Sequence, residues 1–404
     1  MKHAMGFLEA RALLLQKLAP VETERVVLAD CAGRILAQEL KAEENVPAFD
    51  RSPYDGYAFR AADTVGASQE APVTLRILEE VPAGATPTQA VTQGTATKIL
   101  TGAPIPEGAD AVINYERTAF TAETVTLFAP VKSGTNIVRA GEDVKKGTVL
   151  LRPGQVVDPG AAGVLAAQGV AQPLVYRRVR VAVLSTGAEL VEADAVPQPG
   201  SIRNSNAYTL SAALRQNGLE PVYLGIAGDS VEDIAVLLRR GLDTCDAVIS
   251  TGGVSAGDYD LTPDAMERAG MEVLLHGVDL KPGMACAYAV KDGKPVCALS
   301  GNPASSLTNF YAIALPLLKT LAGCADAVPK PIRVTLRNGF SKSSRGTQML
   351  RGRLVLENGA AELLLPEDQG NVVLSSTISC NAIAIVPHGS GPLPAGTVLD
   401  GFLI

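Results

Sequence analysis

Short apolar runs alternate with longer amphipathic stretches between Val179 and Leu321, and this alternation constrains the fold more than any other feature. The runs VRVAVLS, PVYLGIA, DAVISTGG and VCALSG have the length and composition of buried strands. The stretches between them, such as AYTLSAALRQNGL and VEDIAVLLRRGL, have the length of helices. Strands that alternate with helices form βαβ units, so residues 177–326 are predicted to form a three-layer α/β domain with a mostly parallel sheet.

Three of these predicted strands end in loops rich in glycine and small hydroxyl residues: LSTGAE at 184–189, ISTGGVSAGDYD at 249–260 and LSGNPASS at 299–306. Ligands of parallel sheets bind beyond the carboxyl ends of the strands, where backbone N–H groups and helix N-termini favour anions. One such loop would be an ordinary turn, but three at one edge indicate a binding site for a phosphorylated small molecule. The candidate contact residues are Ser250, Thr251, Gly252, Gly253, Ser255, Gly257, Asn206, Gly301, Asn302, Pro303 and Ser305.

The class of phosphate site is narrowed by two motifs that the chain lacks. The sequence contains neither the Walker pattern GxxxxGK[ST] nor a GxGxxG that follows a strand. A P-loop kinase and an NAD enzyme are therefore disfavoured.

Acidic residues lie at the same predicted rim. Glu189, Asp229, Asp258 and Asp260 would meet the phosphates of a ligand, and carboxylates and phosphates repel one another unless a hard cation such as Mg²⁺ bridges them. Asp229 could instead cap the helix that follows it. Asp260, inside a glycine-rich loop, has no such structural explanation and is the strongest candidate for a metal ligand or catalytic residue. The predicted metal ligands are Glu189, Asp229 and Asp260.

The rest of this multidomain α/β chain reads as two β regions and a helical region. Residues 45–144 contain short β-branched runs bounded by Gly or Pro, such as VTLRILEEV and ADAVINYE, and are predicted to form a small inserted β domain. Helical stretches are predicted near the N-terminus and at 158–168. Residues 1–44 and 145–176 are therefore predicted to form an N-terminal helical linker domain, in which these two helical pieces pack together. Short strands after the prolines at 329 and 331 predict a C-terminal β-barrel-like domain over 331–404.

Composition narrows the functional classes. The formal net charge of -7 argues weakly against a nucleic acid as the main partner. The 6 cysteines form no CxxC pair and there are only 3 histidines, so a zinc framework, a disulfide scaffold and a Ser-His-Asp triad are not expected. No run approaches the ~20 apolar residues of a membrane span, and the first residues lack a signal-peptide pattern. We therefore expect a cytoplasmic protein without a membrane partner.

Cationic candidates occur further along the chain. The tripeptide Lys281-Pro282-Gly283 follows an apolar run and could place an ammonium against an oxyanion, although a solvated lysine in a turn fits the sequence equally well. Further residues of the C-terminal region could donate hydrogen bonds to an anion: Arg345, Arg351, Arg353, Ser375 and Ser376. From their residue types alone, they would be expected at the protein surface.

Several motifs follow one another in a recognisable order. They are SPYDGYA at 52–58, TGAP at 101–104 with PEGADAV at 106–112, RAGED at 139–143, STGAEL at 185–190, the loop at 251–260, KPG at 281–283 and GNP at 301–303. In this order they resemble the MoeA family of molybdopterin molybdenumtransferases, which includes a domain of gephyrin. The resemblance extends from the N-terminal helix to the last strand.

The resemblance implies a four-domain, elongated homodimer whose active cleft lies between the α/β domain of one subunit and the N-terminal domains of the other. It implies that adenylylated molybdopterin and molybdate are the substrates, that AMP leaves in a Mg²⁺-dependent step, and that molybdenum stays on the dithiolene. The molybdopterin adenylyltransferase is a further candidate partner. By position, the catalytic residues would be Asp55, Thr101, Glu189, Asp229 and Asp260. The molybdate or anion contacts would be Lys281, Ser305, Arg345 or Arg351, and Ser375 or Ser376.

Two positions depart from the family pattern. Many members continue KPG with a second lysine, where this chain has Met284, and many have proline before GNP, where it has Ser300. Loss of a cation should weaken oxyanion binding by about 1–3 kcal/mol, which leaves a tungstate-preferring paralogue as an alternative. A molybdopterin adenylyltransferase is disfavoured by the extra β domains. A non-catalytic scaffold is disfavoured by the retention of Asp260 and Glu189.

Overall fold

A computed structural model describes residues 5–255, 260–357 and 360–404 of the chain, which groups into two compact units. The first unit comprises Met1–Gln38, Arg152–Ala162 and Gln172–Ile404, and the second comprises Glu39–Leu151 and Gly163–Ala171. Within the described residues, no helix combines the length and hydropathy needed to cross a membrane.

The helices are, in chain order, α1 (Phe7–Leu15), α2 (Pro159–Ala167), α3 (Ser205–Gln216), α4 (Val231–Thr244), α5 (Thr262–Arg268), α6 (Pro303–Asn309) and α7 (Leu315–Leu321). A π-helical turn, Phe310–Ala314, joins α6 to α7. The strands are β1 (Met5–Gly6), β2 (Thr23–Arg25), β3 (Leu40–Lys41), β4 (Gly56–Phe59), β5 (Val73–Val81), β6 (Thr95–Ile99), β7 (Ala111–Asn114), β8 (Thr118–Phe120), β9 (Thr124–Leu127), β10 (Val149–Leu151), β11 (Leu174–Tyr176), β12 (Arg180–Thr186), β13 (Leu190–Val191), β14 (Ile202–Arg203), β15 (Glu220–Ala227), β16 (Ala247–Thr251), β17 (Glu272–His276), β18 (Val278–Asp279), β19 (Ala287–Lys291), β20 (Lys294–Leu299), β21 (Ile332–Leu336), β22 (Gln348–Glu357), β23 (Ala360–Leu364), β24 (Ala382–Val386) and β25 (Val398–Leu403).

The first unit is organised around a six-stranded sheet in the order β15-β12-β16-β20-β19-β17. Its first four strands are parallel neighbours, and β19 and β17 add antiparallel pairs at one side. Alternate residues of β12 enter different cores: Val181 and Val183 pack with α3 and α7, whereas Ala182 and Leu184 pack with α4 and α5. Burial on both faces explains the continuous apolar runs, and the predicted three-layer α/β domain is confirmed.

Helix α1 packs on this same α/β core. Its buried residues Phe7, Ala10 and Leu14 belong to the cluster that contains Leu317 and Leu318 of α7. The structure has both helical pieces expected from the sequence, since α2 covers most of 158–168. The apolar face of α1, however, is satisfied by the α/β core, because a short helix gains most of its stability from such packing.

The C-terminal segment of the first unit forms a closed barrel, β21-β23-β22-β24-β25, which confirms the predicted barrel-like domain. Its interior is filled by apolar side chains that include Val334, Leu350 and Leu363. The start of β22 pairs with the backbone of Lys281: Lys281 N donates to Thr347 O at 2.8 Å, and Met349 N donates to Lys281 O at 2.7 Å. This pairing places the residues just before β22 beside the KPG segment.

The second unit contains a six-stranded, mainly antiparallel sheet in the order β7-β4-β6-β5-β9-β8. Tyr57, Phe59 and Ile113 are among its core residues. Strands β4 and β6 are antiparallel with Gly56 opposite Ile99. The residue before β4, Asp55, therefore lies at the same end of the sheet as the residues that follow β6.

Candidate functional site

A cavity of about 650 Å³ lies at the carboxyl edge of β12, β16 and β20. These three strands are parallel neighbours, so the loops that follow them lie side by side, as predicted. We call this cavity the glycine-loop pocket. It is lined by Thr186, Gly187, Glu189, Leu190, Ile202, Asn206, Asp229, Ile234, Thr251, Gly252, Gly253, Val254, Ser255, Asp260, Leu261, Ala285, Ser300, Gly301 and Asn302.

Two consecutive glycines allow the loop after β16 to run close to its neighbours. Gly252 has φ +97°, and a Cβ there would lie 2.5 Å from the carbonyl oxygen of Thr186. Gly253 has φ +63°, and a Cβ there would lie 2.6 Å from the hydroxyl of Thr262. Any larger residue would combine a strained backbone with a steric clash, so this loop conformation requires glycine at both positions.

Hydrogen bonds between strand ends support the floor of the glycine-loop pocket. Ser185 Oγ lies 2.9 Å from Thr251 Oγ1 and donates to Asn204 Oδ1 at 3.0 Å. The amide of Asn206 donates to Gly301 O at 2.8 Å, which ties the start of α3 to the third loop. The buried Oδ1 of Asn206 has no hydrogen-bond partner among the described residues, so it is available to a ligand.

The predicted contact residues are not all at the surface of this pocket. Ser250 is fully buried in β16 and Pro303 begins α6, and neither residue lines the cavity. Gly257 and Asp258 lie outside the described residues. The remaining candidates of the three loops line the glycine-loop pocket, except Ser305, which lines the second cavity described below.

Three carboxylates line the glycine-loop pocket, namely Glu189, Asp229 and Asp260. Asp229 Oδ2 accepts a hydrogen bond from the N–H of Ala188 at 3.0 Å. Asp260 Oδ2 lies 3.2 Å from Nε2 of His276, whereas its buried Oδ1 has no partner among the described residues. Burial raises the pKa of Asp260, and the neighbouring imidazole opposes that shift.

Sequence reasoning missed His276, because the histidine count argued against a histidine at the site. It ends the edge strand β17, and no motif around it marks a function. Within the described residues, no group of three or more His, Cys, Asp or Glu side chains is close enough to enclose a metal ion.

A second cavity of about 370 Å³ adjoins the first, because Ala285, Ser300 and Asn302 line both. We call it the barrel-side pocket, since it lies beside the segment that leads from β21 to β22 of the barrel. Its lining residues are Asp279, Leu280, Lys281, Pro282, Gly283, Met284, Ala285, Ser300, Asn302, Ser305, Arg345, Gly346 and Asn371. Both departures from the family pattern, Met284 and Ser300, lie here.

The structure separates the two candidate arginines. Arg345 is exposed and lines the barrel-side pocket with Lys281 and Ser305. Arg351 is 2% exposed and does not line it; its Nη2 donates to Ser376 Oγ at 2.9 Å. Burial lowers the pKa of Arg351. Ser375 and Ser376 are likewise absent from the lining of both pockets.

The carboxylate of Asp279, which lines the barrel-side pocket, already accepts hydrogen bonds from within the protein. The carboxylate of Asp279 accepts hydrogen bonds from the N–H of Thr347 at 3.2 Å and from its hydroxyl at 3.0 Å. No salt bridge within the described residues involves Lys281 or Arg345, so both cations remain available to an anion.

Asp55 and Thr101 meet at one end of the sheet in the second unit. Asp55 Oδ1 accepts hydrogen bonds from the backbone N–H and the hydroxyl of Thr101, each at 2.7 Å. These bonds hold the pKa of Asp55 below its usual value. The pair that the resemblance selected across a long sequence separation is therefore a local structural unit with an ionised carboxylate.

The fold and its pockets define a class: a multidomain α/β protein that binds an anionic or phosphorylated small molecule at the carboxyl edge of a parallel sheet. Two family models match, the MoeA N-terminal region (domain I and II) over residues 5–169 and a probable molybdopterin binding domain over residues 182–320. A molybdopterin molybdenumtransferase of Staphylococcus aureus is 33% identical over 392 residues, which cover 97% of this chain and 94% of the relative. The chain belongs to the MoeA family.

Solved structures agree with this assignment. A molybdopterin biosynthesis moeA protein from Pyrococcus horikoshii OT3 superposes with a TM-score of 0.85 at 30% identity, over 99% of this chain and 100% of that chain. A molybdopterin molybdenumtransferase of Staphylococcus epidermidis is 32% identical over 98% of this chain and 94% of its own length. The family resemblance drawn from the motifs is thus confirmed.

Proposed function

We propose that this protein transfers molybdenum from molybdate to adenylylated molybdopterin and releases AMP. The observation that carries the proposal is the pair of adjoining pockets, one acidic and glycine-lined, the other basic, which share Ala285, Ser300 and Asn302. A reaction that cleaves a phosphoanhydride and places a tetrahedral oxyanion beside it needs such neighbouring sites. The names of relatives at 33% identity support the transfer of molybdenum to molybdopterin.

The glycine-loop pocket is assigned to the phosphates of the substrate. Backbone N–H groups of the loops provide neutral donors and Oδ1 of Asn206 provides an acceptor, while Glu189, Asp229 and Asp260 face the same space. Cleavage of a phosphoanhydride depends mainly on positioning and charge stabilisation, so the chain needs no strong protein nucleophile here.

The donor set fits Mg²⁺ as a third participant. Mg²⁺ is usually held by one or two carboxylates together with phosphate oxygens and water, and the buried Oδ1 of Asp260, which has no partner among the described residues, is the oxygen best placed to serve as a ligand. We assign Asp260 to this ion as a direct ligand. Glu189 and Asp229, the other predicted ligands, line the same pocket but do not form a three-carboxylate group with Asp260 among the described residues. Bound there, Mg²⁺ would neutralise charge on the phosphates. Asp260 itself is oriented by the imidazole of His276.

The barrel-side pocket is assigned to molybdate. Lys281 and Arg345 bring positive charge, and the hydroxyl of Ser305 lies on the same lining. Charged donors of this kind form the stronger class of hydrogen bonds to oxyanions. We infer that Arg345, rather than Arg351, contacts the oxyanion, because only Arg345 reaches this lining.

We propose that the protein is a cytoplasmic homodimer, as the family resemblance implies. In it, Asp55 and Thr101 of one subunit would complete the active site on the α/β domain of the other subunit. The ionised Asp55 carboxylate, fixed by Thr101, is suited to orient a water molecule or a metal-bound group. The molybdopterin adenylyltransferase is the proposed supplier of the substrate, because the adenylylated pterin must be made by a nucleotidyl transfer.

The test is molybdate-dependent release of AMP from adenylylated molybdopterin, with ATP supplied and followed in parallel. We expect AMP to appear in proportion to molybdenum retained on the pterin, with no consumption of ATP. In a parallel reaction that starts from molybdopterin, consumption of ATP with formation of adenylylated pterin would instead identify an adenylyltransferase. A larger response to tungstate than to molybdate would identify the tungstate-preferring alternative.

A further inference from the structure

The segment Gly283–Ala285 lines the barrel-side pocket, and two of its carbonyl groups are held from inside the protein. The side-chain amide of Asn309 donates to Gly283 O at 2.8 Å. The thiol of Cys286 lies 3.5 Å from Met284 O, to which it donates. Burial raises the pKa of Cys286 to about 12, so the thiol keeps the proton that it donates.

These inward carbonyls determine where the neighbouring N–H groups point. In a trans peptide, the carbonyl and the following N–H point in opposite directions, and the peptide bonds after Gly283 and Met284 are not among the cis bonds of the described residues. With both carbonyls directed at buried groups, the N–H groups of Met284 and Ala285 point away from the core. Neither N–H has an acceptor among the described residues.

Asn309 is fixed in the orientation that this arrangement needs. It is fully buried, and its Oδ1 accepts a hydrogen bond from the equally buried hydroxyl of Tyr288. Since the tyrosine occupies the amide oxygen as donor, the NH₂ group faces Gly283. The packing there is tight: a Cβ on Gly283, whose φ is +119°, would lie 3.1 Å from Asn309 Cβ.

The helix around Asn309 also serves the pocket directly. Ser305 and Asn309 are separated by one helical turn of α6, so they share a face. Ser305 lines the pocket, and Asn309 holds the loop backbone that faces it. The π-helical turn begins immediately after Asn309, and such turns occur frequently at functional sites.

We propose that the backbone N–H groups of Met284 and Ala285 donate to the oxyanion in the barrel-side pocket, and that Asn309 is the positioning residue that orients them. The proposal rests on the proposed function for the identity of the oxyanion. It also gives a physical reason why a chain with methionine at 284 retains an anion site: successive backbone N–H groups form a concave donor surface that does not depend on the side chain.

The direct test uses the protein labelled with ¹⁵N-methionine, which yields at most 6 methionine amide signals. The Met284 signal is assigned by its loss in Met284→Leu, and sodium molybdate is then titrated into the wild-type protein. We expect the Met284 amide signal to shift with molybdate in a saturable manner. Saturable molybdate binding, measured in parallel by calorimetry, with an unmoved Met284 signal would overturn the positioning proposal alone.

The role of Asn309 is tested by three variants in the same titration. Asn309→Leu should weaken molybdate binding about tenfold by releasing Gly283 O, and Tyr288→Phe should weaken it about two- to fivefold. The matched control is Thr308→Val, because Thr308 is equally buried on the same helix but bonds only to Ala304 O; its affinity should not change.

Wild-type affinity in both Asn309→Leu and Tyr288→Phe, or equal weakening in Thr308→Val, would overturn the role of Asn309. If Asn309→Leu does not fold, Tyr288→Phe against Thr308→Val decides alone. If the wild-type protein binds neither molybdate nor tungstate, the pocket does not hold an oxyanion. That result would overturn both this proposal and the proposed function.

Discussion

The two adjoining pockets differ in charge and in construction. The glycine-loop pocket has three carboxylates and is built from loops that follow neighbouring parallel strands. The barrel-side pocket has two cations, Lys281 and Arg345, and is built from the KPG segment, the first turn of α6 and the segment between β21 and β22. On the proposed assignment, the difference teaches how one site can take two anions: the basic pocket would hold the oxyanion directly, whereas the carboxylates of the acidic pocket would hold phosphates through a bridging Mg²⁺.

The largest expected effect concerns the acidic pocket. Asp260→Asn keeps the shape of the side chain but removes its charge, so kcat for AMP release should fall on the order of 10²-fold, while the apparent KM for molybdate stays within about twofold. Steady-state kinetics against molybdate concentration measure both. Glu267→Gln, which neutralises an exposed carboxylate on α5, is the control and should behave like wild type. An unchanged kcat in Asp260→Asn would remove the carboxylate from the mechanism.

In the basic pocket, we expect a substitution to change the KM for molybdate rather than kcat. Lys281→Ala retains the backbone pairing with Thr347 and Met349 but removes the ammonium. The KM for molybdate should rise about tenfold, with kcat largely retained at saturating molybdate, because the lost interaction is one charged hydrogen bond. The exposed Lys342→Ala is the matched control. A fall in kcat with an unchanged KM would contradict the assignment of this pocket to molybdate.

Two arginine variants sharpen the boundary of the basic pocket. Arg345→Gln should weaken molybdate binding about three- to tenfold without changing the free energy of unfolding. Arg351→Gln should lower that free energy by about 1–3 kcal/mol, since it breaks the buried hydrogen bond to Ser376, and should leave molybdate affinity near wild type. Calorimetric titration and urea unfolding measure the two quantities. The reverse pattern would show that Arg351 is the oxyanion contact.

A smaller gain is expected from restoring the family's lysine. Met284 is 64% exposed on the lining of the barrel-side pocket, so Met284→Lys adds a solvated cation near the anion. Exposed charge pairs contribute at most about 1 kcal/mol, and molybdate affinity should therefore rise about two- to fivefold. The gain should shrink in high salt. An unchanged affinity would mean that the backbone N–H groups already supply what the lysine would add.

The smallest effect on the site is expected from a substitution at the opposite edge of the sheet, where Asp246 contributes to the stability of the fold. Asp246 accepts two hydrogen bonds of 2.6 Å from Arg177. Burial favours the neutral acid, but the hydrogen bonds from Arg177 and from the N–H of Arg180, together with the positive charge of Arg177, outweigh it and lower the pKa of Asp246. Its stabilisation is therefore full above about pH 4 and is lost as pH falls through the lowered pKa.

Asp246→Asn should accordingly reduce the free energy of unfolding at pH 7 by about 1–3 kcal/mol. The difference from wild type should narrow towards pH 3, and kcat should not change. Urea unfolding at both pH values measures this. A difference that persists unchanged at pH 3 would mean that the carboxylate charge is not the source of the stabilisation.

The two pockets also differ in how far the sequence predicts them. The loops of the glycine-loop pocket follow strands that are recognisable from their apolar runs, and parallel strands bring their carboxyl ends to one edge, so Glu189, Asp229 and Asp260 could be placed together. From the sequence, we could not decide whether Arg345 or Arg351 lines the barrel-side pocket. Which arginine reaches the lining depends on the pairing of Lys281 with Thr347 and Met349, and only the structure shows that pairing.

Other parts of the site gave no signal in the sequence. His276 approaches Asp260 through an edge strand, and Asn309 approaches Gly283 through a buried helix face; each contact joins residues that are distant in sequence and carry no motif. The central α/β domain and the C-terminal barrel were predicted from the pattern of strand-like and helix-like runs. The packing of α1 on the α/β core depends on which apolar surface is left uncovered, and local patterns do not encode that.

The division of labour between the two pockets is the central claim, and equilibrium binding of molybdate to Asp260→Asn and Lys281→Ala tests it most directly. Calorimetric titration of each folded variant, with wild type beside them, gives the dissociation constants. We expect wild-type affinity within about twofold in Asp260→Asn and about tenfold weaker binding in Lys281→Ala. Equal weakening in both variants, or weakening only in Asp260→Asn, would contradict the assignment of molybdate to the barrel-side pocket.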